Sequence, residues 1–156
     1  MKLFNEHDKA ISYAEENWLP FFNTLTHTQR VNLLSIQSRG RTPDNPDDLP
    51  TIEEFTRVMK TIPKTIESII LYRGGCESDF KRPYVATSFL EESAKKHVRD
   101  TKNHKNEKSR LYKIFALKNS KFVPTCALNM PGCSYEEEVD IDTSRLARFG
   151  TFYIYS

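Results

Sequence analysis

The chain's most concentrated acidic segment is Glu136-Glu137-Glu138-Val139-Asp140-Ile141-Asp142, which holds every acid found after Phe122. Treated as a strand, its side chains alternate. Val139 and Ile141 face a core, and Glu138 and Asp140 point the other way. Glu136 then shares the face of Glu138, with Cα atoms about 6.5–7 Å apart. Two carboxylates on one wall suit a reaction that builds positive charge on one group and needs a base for another. A sugar oxocarbenium ion is such a charge, and enzymes that cleave glycosidic bonds flank it with carboxylates. An edge strand made acidic for solubility, and so protected from pairing with another sheet, would carry the same residues.

Arg73 is the second candidate. It follows the apolar run Ile69-Ile70-Leu71-Tyr72 and precedes Gly74-Gly75. A guanidinium at a strand end, beside backbone that can be approached closely, grips phosphate through paired hydrogen bonds; an ordinary strand-terminal arginine before a turn has the same sequence. Thr87-Ser88 offers two hydroxyls, and Ser88 also stands where it would cap a following helix. The four histidines (His7, His27, His97, His104) have no metal-ligand spacing and are assigned to structure or surface. Cys76, Cys126 and Cys133 include no CxxC pair, so neither a zinc ribbon nor a disulfide framework is expected, and a reducing cytosol fits. Five glycines, none in GxGxxG or GxxxxGK[ST], exclude a glycine-rich phosphate loop.

The elements that must position these residues are legible from periodicity. At 156 residues with 38% hydrophobic and 12% aromatic content, the chain is expected to form one soluble globular domain. The longest apolar run is far short of the roughly 20 residues needed to span a bilayer, and the N-terminus turns acidic before any signal-like apolar region, so a cytoplasmic protein without a membrane segment is expected. Ile11, Ala14, Trp18, Leu19, Phe22 and Leu25 recur at helical spacing, with Pro20 expected to kink or divide the segment. Thr26 with Gln29, and Thr51 with Glu54, have capping-box spacing before apolar stripes, the second closed by Pro63. Thr42 to Pro50 is expected to be a loop.

Strands are expected at residues 68–73, 84–88, 111–117, 122–123, 137–141 and 152–155, with a helix capped by Ser88 and running from Phe89 to about Val98. Helices in residues 1–65 and strands in 66–156 argue for a single α+β domain. From Lys95 to Lys121, ten Lys/Arg stand against two acids, a local charge of +8. Such a stretch attracts the phosphates of a nucleotide or nucleic acid, and a solvated helix end with a lysine-rich loop has the same composition.

The order of these motifs resembles the R-S-E signature of mono-ADP-ribosyltransferases: Tyr72-Arg73-Gly74, then Ala86-Thr87-Ser88-Phe89 leading into a helix, then Glu136-Glu137-Glu138-Val139. The closing Phe149-Gly150-Thr151-Phe152-Tyr153-Ile154-Tyr155 is similar to the end of the bacteriophage Alt/Mod branch, which modifies host proteins. The resemblance covers about residues 66–156 and implies a split β-sandwich with N-terminal helices and an NAD-binding β core. It implies NAD as co-substrate, no metal, and transfer of ADP-ribose to arginine side chains of a host protein in the bacterial cytosol. By the same resemblance Glu138 is the catalytic glutamate, and Glu136 orients the acceptor and helps to deprotonate it. Arg73 binds NAD phosphate or ribose and holds the cleft strands together, Gly74 offers backbone hydrogen bonds to nicotinamide, and Thr87 and Ser88 line the cofactor site. Arg99 and Arg110 are the candidates for a further phosphate contact. Ala86 departs from the pattern: it stands where the family's first serine bonds the catalytic glutamate, so Thr87, Ser88 or a water substitutes, or activity is weakened. The rival readings are an NAD glycohydrolase on the same fold and a catalytically silent module that docks on nucleic acid through Lys95–Lys121.

Overall fold

A computed structural model of the chain describes residues 1–35, 49–98, 106–131, 136–143 and 151–155. Three helices come first: α1 (His7–Phe22), α2 (His27–Ser35) and α3 (Leu49–Thr61). The strands follow as β1 (Ile69–Gly75) and β2 (Tyr84–Ser88), a short helix α4 (Glu91–Lys95), β3 (Arg110–Ala116), β4 (Glu138–Asp142) and β5 (Thr151–Tyr155). Thr42 to residue 48, Arg99, His104, Cys133 and the Phe149-Gly150 pair lie outside the described residues. None of the described helices is long and apolar enough to cross a membrane.

Helix α1 buries Ala10, Ala14, Trp18 and Phe22, a stripe at intervals of four that one helical face presents. It runs through Pro20 without dividing, since the proline stands in the last turn, where one missing N–H disturbs little of the helix. Thr26 and Gln29 form the expected capping box: Gln29 N–H donates to Thr26 Oγ1 (3.2 Å) and Thr26 N–H to Gln29 Oε1 (2.7 Å). Helix α3 begins at Leu49, two residues before Thr51, and buries Phe55, Val58 and Met59, with Ile62 buried just past its end. Phe55 sits 3.9 Å (ring centroids) from Tyr84, which seats α3 on β2.

All strand pairings are antiparallel, in the order β4-β2-β1-β3-β5. The pairing is uneven. β1 pairs with β3 from Ile69↔Ala116 to Gly75↔Arg110, and β2 with β4 from Tyr84↔Asp142 to Ser88↔Glu138. Between β1 and β2 the register is a single pair, Tyr72↔Ser88. The sheet therefore divides into a β3-β5 half carried by β1 and a β4 half carried by β2, parting beyond that contact. Residues 122–123 do not form a strand. Val123 makes one isolated bridge to Asp140, and Pro124, having no N–H, stops the pairing there.

Candidate active site

The parting of β1 and β2 makes a cleft of about 220 Å³, lined from β1 by Tyr72, Arg73 and Gly74 and from β2 by Ala86, Thr87 and Ser88. Arg73 bridges the lips: Nη1 donates to Ala86 O (3.0 Å) and Nη2 to Asp79 Oδ2 (2.9 Å). Asp79, in the 3₁₀ turn Glu77–Lys81, also accepts from Cys76 N–H, so the guanidinium pins that turn to both strands. Arg73 Nε is buried with no hydrogen-bond partner among the described residues. Gly74 is required by packing, because a Cβ there would stand 2.0 Å from the Ala94 carbonyl oxygen of α4. Helix α4 closes the cleft through Ser93, Ala94 and the following His97.

Ser88 does not cap α4. The helix starts at Glu91 with Leu90 as N-cap, because Ser88 is still the last residue of β2. Its hydroxyl accepts from Leu90 N–H (3.0 Å) and donates to Glu136 O (2.8 Å), while Thr87 Oγ1 donates to Val139 O (2.8 Å). Each hydroxyl has one proton and gives it to a backbone carbonyl, so both residues fix the β2–β4 half of the cleft.

The three consecutive glutamates go to three places. Glu138 opens β4 opposite Ser88, is 7% exposed and lines the cleft. Glu137 is buried in the left-handed region, φ 50°, with Oε1 paired to His7 Nδ1 (2.6 Å) and Oε2 accepting from Ser93 Oγ (2.5 Å). Glu136 is half-exposed at the cleft mouth, 3.1 Å from His97 Nε2. Strand alternation thus starts only at Glu138. Glu136 and Glu138 share one cleft because the turn at Glu137 brings them there, not because of the pleat.

His97 is a cleft residue rather than a purely structural one, a placement with no cue in sequence spacing. Asp140 is fully enclosed and both its oxygens are unpartnered among the described residues, in contrast to the open face expected for it. Arg110 begins β3 opposite Gly75 and is not among the cleft-lining residues.

Burial pushes the Glu138 carboxyl up to about 8, with the charge of Glu136 adding to the effect. A hydrogen bond from Thr125 Oγ1 (2.9 Å to Oε2) and the charge of Arg73 pull it back. Asp140 is raised well above the carboxylate range by its burial and then by Glu138, against the opposing charge of Arg73. Among the described residues no group of His, Cys, Asp or Glu is arranged to hold a metal ion. The site thus combines an enclosed carboxyl at its wall, a solvent-facing carboxylate at its mouth and a guanidinium between its lips. That set can stabilise a cation and take a proton from a second group.

No protein-family model and no curated protein matches the chain. Among solved structures it is similar to Plx2a, an ADP-ribosyltransferase toxin from Paenibacillus larvae, at 14% sequence identity over 91% of this chain and 86% of that chain, with a TM-score of 0.64. The chain therefore has the α+β fold of an ADP-ribosyltransferase.

Proposed function

We propose that the protein is an NAD-dependent mono-ADP-ribosyltransferase that modifies arginine side chains of a protein acceptor and releases nicotinamide. The observation that carries this reading is the pairing of an enclosed Glu138 with an open Glu136 on one cleft of this fold. NAD, when bound, supplies a glycosidic bond to a cationic pyridinium, which departs as neutral nicotinamide. At about 220 Å³ the cleft takes that end of the molecule, since pockets that enclose whole drug-sized ligands measure roughly 300–1,000 Å³.

Glu138 is assigned to the positive charge that develops at the sugar carbon as the bond to nicotinamide breaks. Its carboxylate is more favourable to that state than to the ground state, which is what accelerates a reaction. A cation placed against Glu138 also favours its ionised form and so opposes the effect of burial. Glu136 binds the acceptor guanidinium and takes the proton lost as the new nitrogen–carbon bond forms. A guanidinium with a pKa above about 12 needs such a base. Arg73 is assigned to hold the lips of the cleft, and an approaching phosphate competes with Asp79 for Nη2. Gly74 presents its backbone to nicotinamide; Thr87 and Ser88 support the cofactor site from β2. The acceptor is a protein with an exposed arginine, and an enzyme made in a phage-infected cell and a delivered toxin share this chemistry.

The test uses labelled NAD with a bacterial lysate or an arginine-rich acceptor. Wild type labels protein on arginine, and Glu136→Gln lowers transfer about 10²-fold or more while nicotinamide release continues. Equal loss of both reactions contradicts the separate roles of the two glutamates. Nicotinamide release with no labelled protein identifies a glycohydrolase instead.

A further inference from the structure

Thr125 belongs to a segment without any recognisable motif, yet its hydroxyl goes to the carboxyl on which the proposed reaction depends. Local structure brings it there. Val123 and Asp140 exchange two backbone bonds, Val123 N–H to Asp140 O (2.9 Å) and Asp140 N–H to Val123 O (2.7 Å). Pro124, at φ −77° and ψ 84°, then makes an inverse γ-turn closed by Thr125 N–H to Val123 O (2.9 Å). The chain reverses into the 3₁₀ turn Thr125–Ala127, backed by α1, with Trp18 packed 5.5 Å (ring centroids) from Phe122. Thr125 is fully buried, with Oγ1 2.9 Å from Glu138 Oε2 and 3.4 Å from Glu138 O.

This is the one side-chain hydrogen bond that the Glu138 carboxyl receives among the described residues. β2 has no proton to give it. Ala86, diagonal to Glu138 across the β2–β4 pair, has no hydroxyl, and Thr87 and Ser88 have given theirs to Val139 O and Glu136 O.

We propose that Thr125 is the positioning residue of Glu138, fixing one carboxylate oxygen so that the other is presented to the cleft. The inference rests on the reading of Glu138 as the glutamate of transfer. The charged groups that act on Glu138 are Glu136, which opposes its charge, and Arg73, whose nearer bonds go to Ala86 O and Asp79; the buried Asp140 beside it is itself pushed toward its neutral form by burial and by the charge of Glu138. Among the described residues Thr125 alone supports the ionised form by direct contact.

The experiment pairs Thr125→Val, which keeps the shape and removes the hydroxyl, with Thr125→Ser, which keeps the hydroxyl. The carbon-13 NMR titration of the Glu138 carboxyl, assigned by its absence in Glu138→Gln, is read beside NAD turnover as a function of pH. Thr125→Val moves the Glu138 midpoint and the acidic limb of kcat/KM upward by about one pH unit. It also lowers kcat near neutral pH about tenfold, with little change in the KM for NAD. Thr125→Ser keeps both near wild type, and Ala86→Ser in the Thr125→Val background brings the midpoint back down. Circular dichroism checks the fold, with Thr125→Ala as the second hydroxyl-free variant should valine not fold. An unchanged titration in the hydroxyl-free variant, or an equal shift in Thr125→Ser, overturns the proposal. A wild-type protein that turns over no NAD overturns the reading of Glu138 instead, and the titration still decides whether Thr125 holds it.

Discussion

Glu138 carries two requirements that conflict in an enclosed site: it must be charged to act, and it is most stable in the fold when neutral. The unfolded chain releases this proton near the ordinary value of 4.5, whereas the fold holds it up to about 8. Its contribution to stability is therefore complete below about pH 4.5 and is lost as pH rises toward about 8. Glu138→Gln removes the titration and should be more stable than wild type at about pH 9, with the difference vanishing near pH 4. Urea unfolding at the two pH values measures this, and a difference independent of pH contradicts it. Stability given up for a working group is a familiar trade-off at active sites. That Arg73 and Glu138 would stand at strand ends was legible from the apolar runs and glycines beside them, whereas Glu136 reaches the same cleft through the turn at Glu137, which strand spacing did not foretell. Thr125 was not legible, since its contact with Glu138 depends on a proline-centred turn and a bridge across strands.

At the scale of elements, α1 supports both sides of Glu138. His7 reaches Glu137, and Trp18 backs the segment that carries Thr125. Glu137 in turn ties α1 to α4 through Ser93 and adopts a left-handed backbone that few non-glycine residues occupy. Glu137→Ala should cost about 2–3 kcal/mol, because one buried and one partly buried hydrogen bond to one carboxylate are lost and Ser93 is left unpaired. Denaturant unfolding reads this, and a variant as stable as wild type contradicts the clamp. Most elements followed from pattern: the four-residue stripe of α1, the apolar β1 and the Thr26–Gln29 box all point one way. The exceptions have local causes. Ser88 has cap spacing but is still committed to β2, and Pro124 ends pairing after Val123.

In the whole molecule, an antiparallel sheet that parts beyond Tyr72↔Ser88 leaves a cleft at the only pair joining β1 to β2 among the described residues. The α+β class was legible from the order of helices and strands; the parting was not, because it depends on how far each pair extends. The basic stretch is divided between α4 and β3, with residues 99–105 outside the described structure, and Lys95 and Lys121 are engaged by Glu92 and the Lys60 carbonyl. Docking of that stretch on nucleic acid remains the rival reading. Nicotinamide release from NAD by wild type and Glu138→Gln, at a pH of about 8, separates the two most directly. Wild type should release nicotinamide steadily, and the variant about 10²–10³-fold more slowly. Equal release by both, or none from a folded wild type that binds nucleic acid with steep salt dependence, would overturn the role given to Glu138.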